Sequence, residues 1–366
     1  MLLLSSGSLS RGRPRADRAL DSYNGRSAER ASQHRRCDHA PVKAAVYTRY
    51  GPPDVVEICD VEKPVPNDDE VLIQIRAASV NALDWRSVSG TPLVARAAMG
   101  LGKPKFTRLG VDVAGVVEAV GRNITQFKPG DAVFGNARGA FAEYACAAES
   151  TLFMKPESMT FAQAACVPVA AFTALQGLRK GKIRPGQKIL INGAGGGVGT
   201  FAVQIAKSFG ADVTGVSSTK NAELVRSIGA DRFVDYTQED FTQRAERYDL
   251  ILDCHATHGL LACRRVLNPN GTYVAVGAPF VRSSDVLLLA IKCLALSWFG
   301  GRKLGMLLAR KNKEDLATLI DLVKDGKVTP VIDRRYRLSE IREALTYVQH
   351  GHARGKVVII LADDET

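Results

Sequence analysis

The run Ile189-Leu-Ile-Asn-Gly-Ala-Gly-Gly-Gly-Val-Gly-Thr-Phe-Ala-Val-Gln204 constrains this chain more than any other. An apolar strand runs straight into a glycine turn, and an amphipathic helix leaves it. Aligned on the dinucleotide fingerprint, Ala194, Gly196 and Gly199 take the three special positions. Gly196 lets backbone amides approach a pyrophosphate, and Gly199 lets the helix pack against the strand. Gly197 and Val198 open that helix, whose free N–H groups and positive dipole end would face the phosphates. Ala stands where the first glycine is usual, so the strand–turn–helix context is what makes the signal specific.

Cofactor choice is read at the end of the next strand. A site for the unphosphorylated dinucleotide places Asp or Glu there to hold the ribose hydroxyls. Here the run is Val213-Thr-Gly-Val-Ser-Ser-Thr-Lys-Asn221, with no acid before Glu223. Ser217 and Ser218 can donate to a 2′-phosphate and Lys220 can neutralise it, which points to NADPH. The two serines also suit the cap of a helix beginning near Ala222.

Around the turn, strand runs at 188–192, 212–216, 232–235, 249–253 and 272–276 alternate with helical runs at 198–209 and 222–228. Such alternation predicts a parallel, doubly wound sheet. Upstream, apolar strands at 71–76, 113–120 and 131–134 are set off by turn signals such as Gly51-Pro52-Pro53 and Lys128-Pro129-Gly130-Asp131. That spacing reads as a small β-barrel or folded sheet. A helix is expected from Thr160 through Leu178, and strand character returns from about residue 330 to Leu361. The fold class is therefore α/β. Residues 42–165 form the first part of a β-rich domain, 166–328 the dinucleotide-binding domain, and 329–366 the return to the first. At roughly 150 residues per domain, the length of 366 residues supports both cores.

The formal net charge of +11 invites a polyanionic partner. Residues 1–42 hold eight Arg and four acidic residues, so the rest of the chain carries only +7. No basic–aromatic stripe accompanies it, so nucleic acid is not the expected partner, and an anionic small ligand suits the charge as well. The seven Cys contain no CxxC, which fits a reducing, cytoplasmic setting rather than a disulfide framework. Cys254-His255-Ala-Thr-His258 with Cys263 has metal-ligating residue types, but the spacing matches no common zinc pattern. Residues 1–41 lack apolar periodicity and read as a disordered extension, an import presequence or the product of an upstream start, with folded structure beginning at Val42. The apolar run 286–299, with a single charge at Lys292, is too short to span a bilayer of about 20 residues. A buried helix or dimer contact is its expected role, with membrane-surface contact the less favoured reading.

Six motifs in order carry a family resemblance: Ser79-Val-Asn-Ala-Leu-Asp84, Gly110-Val-Asp-Val-Ala-Gly-Val-Val117, Val120-Gly121, Phe127-Lys-Pro-Gly-Asp-Ala-Val-Phe134, Gly139-Ala-Phe-Ala-Glu-Tyr144 and the glycine turn. From 42 to 361 the chain resembles the medium-chain dehydrogenase/reductase superfamily, in its zinc-free quinone oxidoreductase branch that includes ζ-crystallin. The resemblance implies a GroES-like domain split around a Rossmann domain. Where zinc-dependent relatives have Cys, His and Cys ligands, this chain has Asn81, Val111 and Val169, and the four-Cys structural lobe is absent. The resemblance implies that Asn81, Asp84 and Thr173 lie at the nicotinamide end, that Tyr236, Gly277 and Lys356 meet the cofactor, and that Arg354-Gly355-Lys356 closes on it. It also implies a homodimer through the sheet edge 271–277.

Without a metal to stabilise an alkoxide, reduction of an electrophilic acceptor is easier than oxidation of an alcohol. The expected activity is hydride transfer from NADPH to a quinone or an α,β-unsaturated carbonyl, with the proton from solvent or a nearby group such as Tyr50 or His255. Two alternatives stand beside it: an enoyl-thioester reductase, and an NADPH-bound module that binds RNA or protein without catalysis.

Overall fold

The computed structural model describes residues 40–256, 258–276, 283–298, 301–307, 309 and 312–362. The readings of segment 1–39 and of Gly277 therefore fall outside the described residues.

Strands β1 (Val42–Val46) and β2 (Glu57–Val61) form an antiparallel pair. The eleven-residue β3 (Glu70–Val80) follows and is buried along most of its length. Ile73 and Ile75 join one apolar cluster, and a register shift between Ile75 and Ala77 breaks the alternation, so that Ala78 and Val80 stay with that cluster while Ala77 reaches a second. Helix α1 (Ala82–Ser89) starts directly after Asn81, whose N–H donates to the Asp84 carboxylate at 2.7 Å. That contact satisfies an N-terminal donor of the kind a helix start leaves free. Helix α2 (Arg96–Met99), β4 (Asp112–Val120), β5 (Ala132–Asn136), β6 (Tyr144–Ala148) and β7 (Leu152–Met154) complete this part of the chain.

The single helix expected from Thr160 is two, α3 (Phe161–Ala165) and α4 (Val167–Lys180). Thr160 and Gln163 form a capping box, with Gln163 N donating to Thr160 Oγ1 at 3.2 Å and Thr160 N to Gln163 Oε1 at 2.9 Å. The break comes at Cys166 because Pro168 has no N–H to continue the ladder and belongs in the first turn of a new helix.

Then the alternation begins: β8 (Lys188–Asn192), α5 (Gly197–Ser208), β9 (Asp212–Ser217), α6 (Ala222–Ser227), β10 (Arg232–Asp235) and β11 (Tyr248–Asp253). It continues through α7 (Leu260–Arg265), β12 (Leu267–Ala275), α8 (Ser283–Trp298), β13 (Lys303–Met306) and α9 (Lys313–Lys324). The six strands are all parallel, in the order β10-β9-β8-β11-β12-β13. Ile189, Leu190 and Ile191 on β8 are fully buried, as expected of a parallel strand covered on both faces. From β8 the chain winds outward one way through β9 and β10, and β11 starts the other way. The glycine turn thus sits at the topological switch point, where ligands of such sheets bind.

Strand β14 (Ile332–Arg337), α10 (Ile341–Gln349) and β15 (Lys356–Ile360) return to the first sheet, whose order is β14-β15-β3-β4-β5-β7 with β6 also on β3. The expected edge at 271–277 is corrected by β13. This short strand lies parallel to β12, pairing Thr272 with Lys303 and Ala275 with Met306. The chain leaving α8 turns back along the sheet and takes the hydrogen-bonding edge that a partner would need.

One glycine is fixed by packing alone. A Cβ on Gly199 would lie 2.0 Å from the Gly193 carbonyl oxygen, whereas on Gly196 the nearest atom would be 3.4 Å away. Gly199→Ala is expected to cost about 1–3 kcal/mol, lowering the thermal midpoint by several degrees, with Gly196→Ala close to the parent. Thermal unfolding of the two variants side by side checks the difference.

Candidate active site

A cleft opens where the glycine turn, the end of β9 and the segment leading into β15 face one another. Gly193, Gly196, Gly197, Val198 and Gly199 form its floor at one end, with Ser217, Ser218, Lys220, Asn221 and Tyr236 beyond them. Val80, Asn81, Ala82 and Ala170 close the other end, and Gly351, His352, Gly355 and Lys356 form the facing wall. Of the residues expected to hold or close on a cofactor, Ala194, Gly277 and Arg354 are not among this lining. Ala194 is fully buried beneath the turn, and Gly277 is outside the described residues.

The cleft fits a dinucleotide on two observations. A side chain at Gly196 would meet only the Gly193 oxygen, so it would fill the space in front of the α5 N-terminus that a phosphate needs. Asn221, which sequence reasoning passed over, donates from Nδ2 to Ser217 Oγ at 2.8 Å and leaves Oδ1 buried without a donor. A ribose hydroxyl supplies a donor of that kind. The carboxylate at the end of the neighbouring strand, Asp235, is committed to the hydroxyls of Thr219 and Thr237.

The segment before β15 is stitched to the turn itself. Gly355 N donates to Gly195 O at 2.9 Å. Gly355 holds φ at +98°, and a Cβ there would lie 2.4 Å from the Val331 carbonyl oxygen, so only glycine fits. The stem of Lys356 then passes Gly197, within 3.2 Å of where a Cβ on that glycine would be.

At the closed end, Lys356 is 3% exposed and donates from Nζ to Asn81 Oδ1 at 2.5 Å. Asn81 Nδ2 donates to Asp112 Oδ2 at 2.9 Å. Asp112 is fully buried and also accepts from Ser79 Oγ at 3.0 Å, Asn136 Nδ2 at 2.8 Å and Val169 N at 3.2 Å, with the Lys356 ammonium 3.9 Å away. Burial pushes the Asp112 carboxyl up, and the ammonium and these donors pull it back. Sequence reasoning missed Asp112 as the hub. The signal was a lone acid inside an apolar strand, a position where an unpaired charge is not tolerated.

Asp84 and Thr173 lie outside the lining of this cleft. Asp84 is buried on the wall of a separate cavity of about 330 Å³ that Tyr47, Ser87 and Phe106 also line. The Thr173 hydroxyl donates to the Val169 carbonyl at 2.7 Å, one turn back along α4, and Thr173 is not among the residues lining the cleft. Of the two proton-donor candidates, His255 lines the cleft, and Tyr50 instead donates to Gly100 O at 2.6 Å. Cys254 lines the cleft too, its thiol raised by burial, while His258 pairs with Asp240 at 3.3 Å and Cys263 lies in the apolar core. The residues present do not fit a zinc ion. Val111 and Val169 have no donor side chain, and the Asn81 oxygen already takes the Lys356 ammonium. Among the described residues no group of three or more His, Cys, Asp or Glu could hold a metal.

Burial pushes the Asp84 carboxyl up to about 7, against the opposing hydrogen bond from Asn81 N. A raised carboxyl binds its proton more tightly in the folded chain than in the unfolded one. Its contribution to stability is therefore full below pH about 4 and is lost as pH rises through about 7. Asp84→Asn, which stays neutral, is expected to gain on the parent by on the order of 1–3 kcal/mol between pH 5 and pH 8. Urea unfolding of both proteins at the two pH values checks it, and a constant difference would contradict it.

Residues 67–157 match the family described as an alcohol dehydrogenase GroES-like domain, and residues 228–359 the family described as a zinc-binding dehydrogenase. The 2-methylene-furan-3-one reductase of Solanum lycopersicum is 34% identical over 87% of this chain and 79% of its own length. The chloroplastic NADPH-dependent alkenal/one oxidoreductase of Arabidopsis thaliana is 32% identical over the same shares, 87% and 79%. The structure of the quinone oxidoreductase from Coxiella burnetii superposes with a TM-score of 0.76 at 30% identity, over 88% of this chain and 99% of that one. With its GroES-like sheet, its Rossmann sheet and these relatives, the chain belongs to the quinone oxidoreductase branch of the medium-chain dehydrogenase/reductase superfamily and is a nicotinamide-dependent oxidoreductase.

Proposed function

We propose that this chain is a zinc-independent, NADPH-dependent reductase of quinones or α,β-unsaturated carbonyls. The observation that carries the reading is the buried Lys356–Asn81–Asp112 network at the closed end of the cleft. It puts a fixed positive charge where metal-dependent relatives need ligands. An ammonium held at the closed end of the cleft favours negative charge developing on an acceptor oxygen. That suits carbonyl acceptors that are already electrophilic. The names of the relatives, which include an alkenal/one oxidoreductase and a quinone oxidoreductase, support the same substrate class.

When bound, the nicotinamide supplies hydride. The protein's part is position and charge. Asn81 is held between Lys356 and Asp112, so its amide cannot rotate, and it shapes the end of the cleft against Ala170. Lys356 keeps its ammonium at the cleft, its charge balanced by Asp112 behind it. The His255 imidazole or solvent in the open cleft returns the proton to the reduced acceptor. At the other end, Ser217, Ser218 and Lys220 hold the 2′-phosphate, and the absence of a carboxylate among the cleft-lining residues there spares that group a repulsion.

The test follows NADPH oxidation by absorbance across a panel of small quinones, enones and a crotonyl thioester. Turnover of a quinone or enone, with NADPH preferred over NADH, is expected. Tight NADPH binding with no turnover across the panel would point to a non-catalytic module, and a strong preference for the thioester to an enoyl-thioester reductase. Lys220→Glu is expected to lower the NADPH-to-NADH ratio of kcat/KM about tenfold or more, since it trades an attraction to the 2′-phosphate for a repulsion. Lys356→Met is expected to lower kcat by about a hundredfold while the protein still binds NADPH.

A further inference from the structure

The cavity that Asp84 lines backs onto the closed end of the cleft through a single hydrogen-bonded layer. Asn81 lines the cleft, and its N–H donates at 2.7 Å to Asp84, which lines the cavity. Asp112 takes the Asn81 amide on one carboxylate oxygen and the amide of Asn136, another cavity residue, on the other. At about 330 Å³ the cavity has the size of a small-molecule site. Tyr47, Met99 and Phe106 give it apolar walls, and Arg108 and Arg138 line it as well. The Arg138 guanidinium lies 3.8 Å from the centre of the Phe106 ring, and Arg108 donates to the Glu62 carbonyl at 3.1 Å. Among the described residues neither guanidinium is paired with a carboxylate. The segments that carry them are fixed together. Ala137 N donates to Val111 O at 2.9 Å, Gly139 N donates to Gly110 O at 3.0 Å, and a Cβ on Gly139 would lie 2.9 Å from Arg108 Cβ. The acids beside this wall, Asp84 and Asp112, are both buried, and the chain between them holds five cations and no acid. Asp112 is matched by Lys356, and burial pushes the Asp84 carboxyl up to about 7, so neither acid offsets the two guanidiniums in weakly acidic solution.

We propose that this cavity receives the end of the acceptor remote from the nicotinamide, and that Arg108 and Arg138 select an acceptor ending in a carboxylate. The inference rests on the reductase reading and narrows its substrate class to quinones or enones that carry an acid group. A guanidinium offers N–H donors in a fixed fork that matches both oxygens of a carboxylate. Two of them on one wall hold the acid group, while Phe106 and Tyr47 cover the carbon skeleton that joins it to the reacting carbonyl. An uncharged acceptor of the same shape gains the apolar walls alone and leaves both guanidiniums to water.

The experiment follows NADPH oxidation with matched acceptor pairs, acetylacrylate against its methyl ester and a benzoquinone carboxylate against its methyl ester. The acid is expected to exceed the ester in kcat/KM by about tenfold or more, through KM, with the gap closing at high salt. Arg108→Met with Arg138→Met is expected to bring the acid down to the level of the ester. Arg138→Glu, a change at an exposed side chain, is expected to reverse the preference and serves if the double variant fails to fold. Calorimetry with levulinate and its methyl ester, which lack the activated double bond, gives a readout that needs no turnover. Levulinate is expected to bind the parent about tenfold more tightly than the ester does, and to lose that advantage in Arg138→Glu. Equal kcat/KM for acid and ester, or a preference that survives Arg138→Glu, overturns the proposal. Silence toward both members of each pair overturns the reductase reading instead, and calorimetry then decides for the site: equal binding of levulinate and its ester overturns it, and tighter binding that Arg138→Glu removes upholds it.

Discussion

A carboxylate buried away from water must be given donors or be neutralised, and the Asp112 side chain meets that demand by drawing on four other parts of the chain. Ser79 comes from β3, Asn81 from the start of α1, Asn136 from the end of β5 and the Val169 amide from α4. Lys356 from β15 adds the opposite charge. With Asp112 at the hub, the register of β3 against β4, the start of α1 and the place of β15 are set together. Removing Asp112 would strand a buried ammonium, so the pair is better understood as mutual dependence than as a bond added to a finished fold.

The same lysine reaches the cofactor end. Its backbone follows Gly355, which is hydrogen-bonded to the glycine turn, and its stem runs past the first residue of α5. The phosphate cradle and the closed end of the cleft are therefore built on one short stretch of chain. A disturbance at either end is felt at the other through covalent geometry rather than through a relay of contacts.

What was legible in the sequence is what is local. The strand, glycine turn and helix around Gly196 are decided by residues within one turn of each other, and the strand–helix alternation follows from periodicity. The break at Cys166 was missed because the apolar period continues through Pro168, which ends one helix while starting the next. Strand β13 was missed because four residues, one of them Gly305, give no alternation to read. The Asp112 network was illegible as a network: Asn81 and Lys356 are 275 positions apart, and nothing in either neighbourhood announces the other. Of the residues the resemblance names, Asn81 and Lys356 line the cleft, while Asp84 lines a second cavity and the Thr173 hydroxyl bonds within its own helix.

The place of β15 has a consequence for how the molecule comes into being. This strand is not an edge but lies between β14 and β3, so the first sheet stays incomplete until β15 arrives. The Rossmann sheet, whose strands all lie between Lys188 and Met306, can close on itself while the earlier strands wait. During synthesis from the N-terminus, Ala77–Val80 of β3 would stand unpaired beyond the stretch that β6 covers, and the Asp112 carboxylate would lack its lysine. The part of the protein made first is thus the part finished last, and a ribosome stalled before β15 would leave an apolar sheet edge exposed to neighbours.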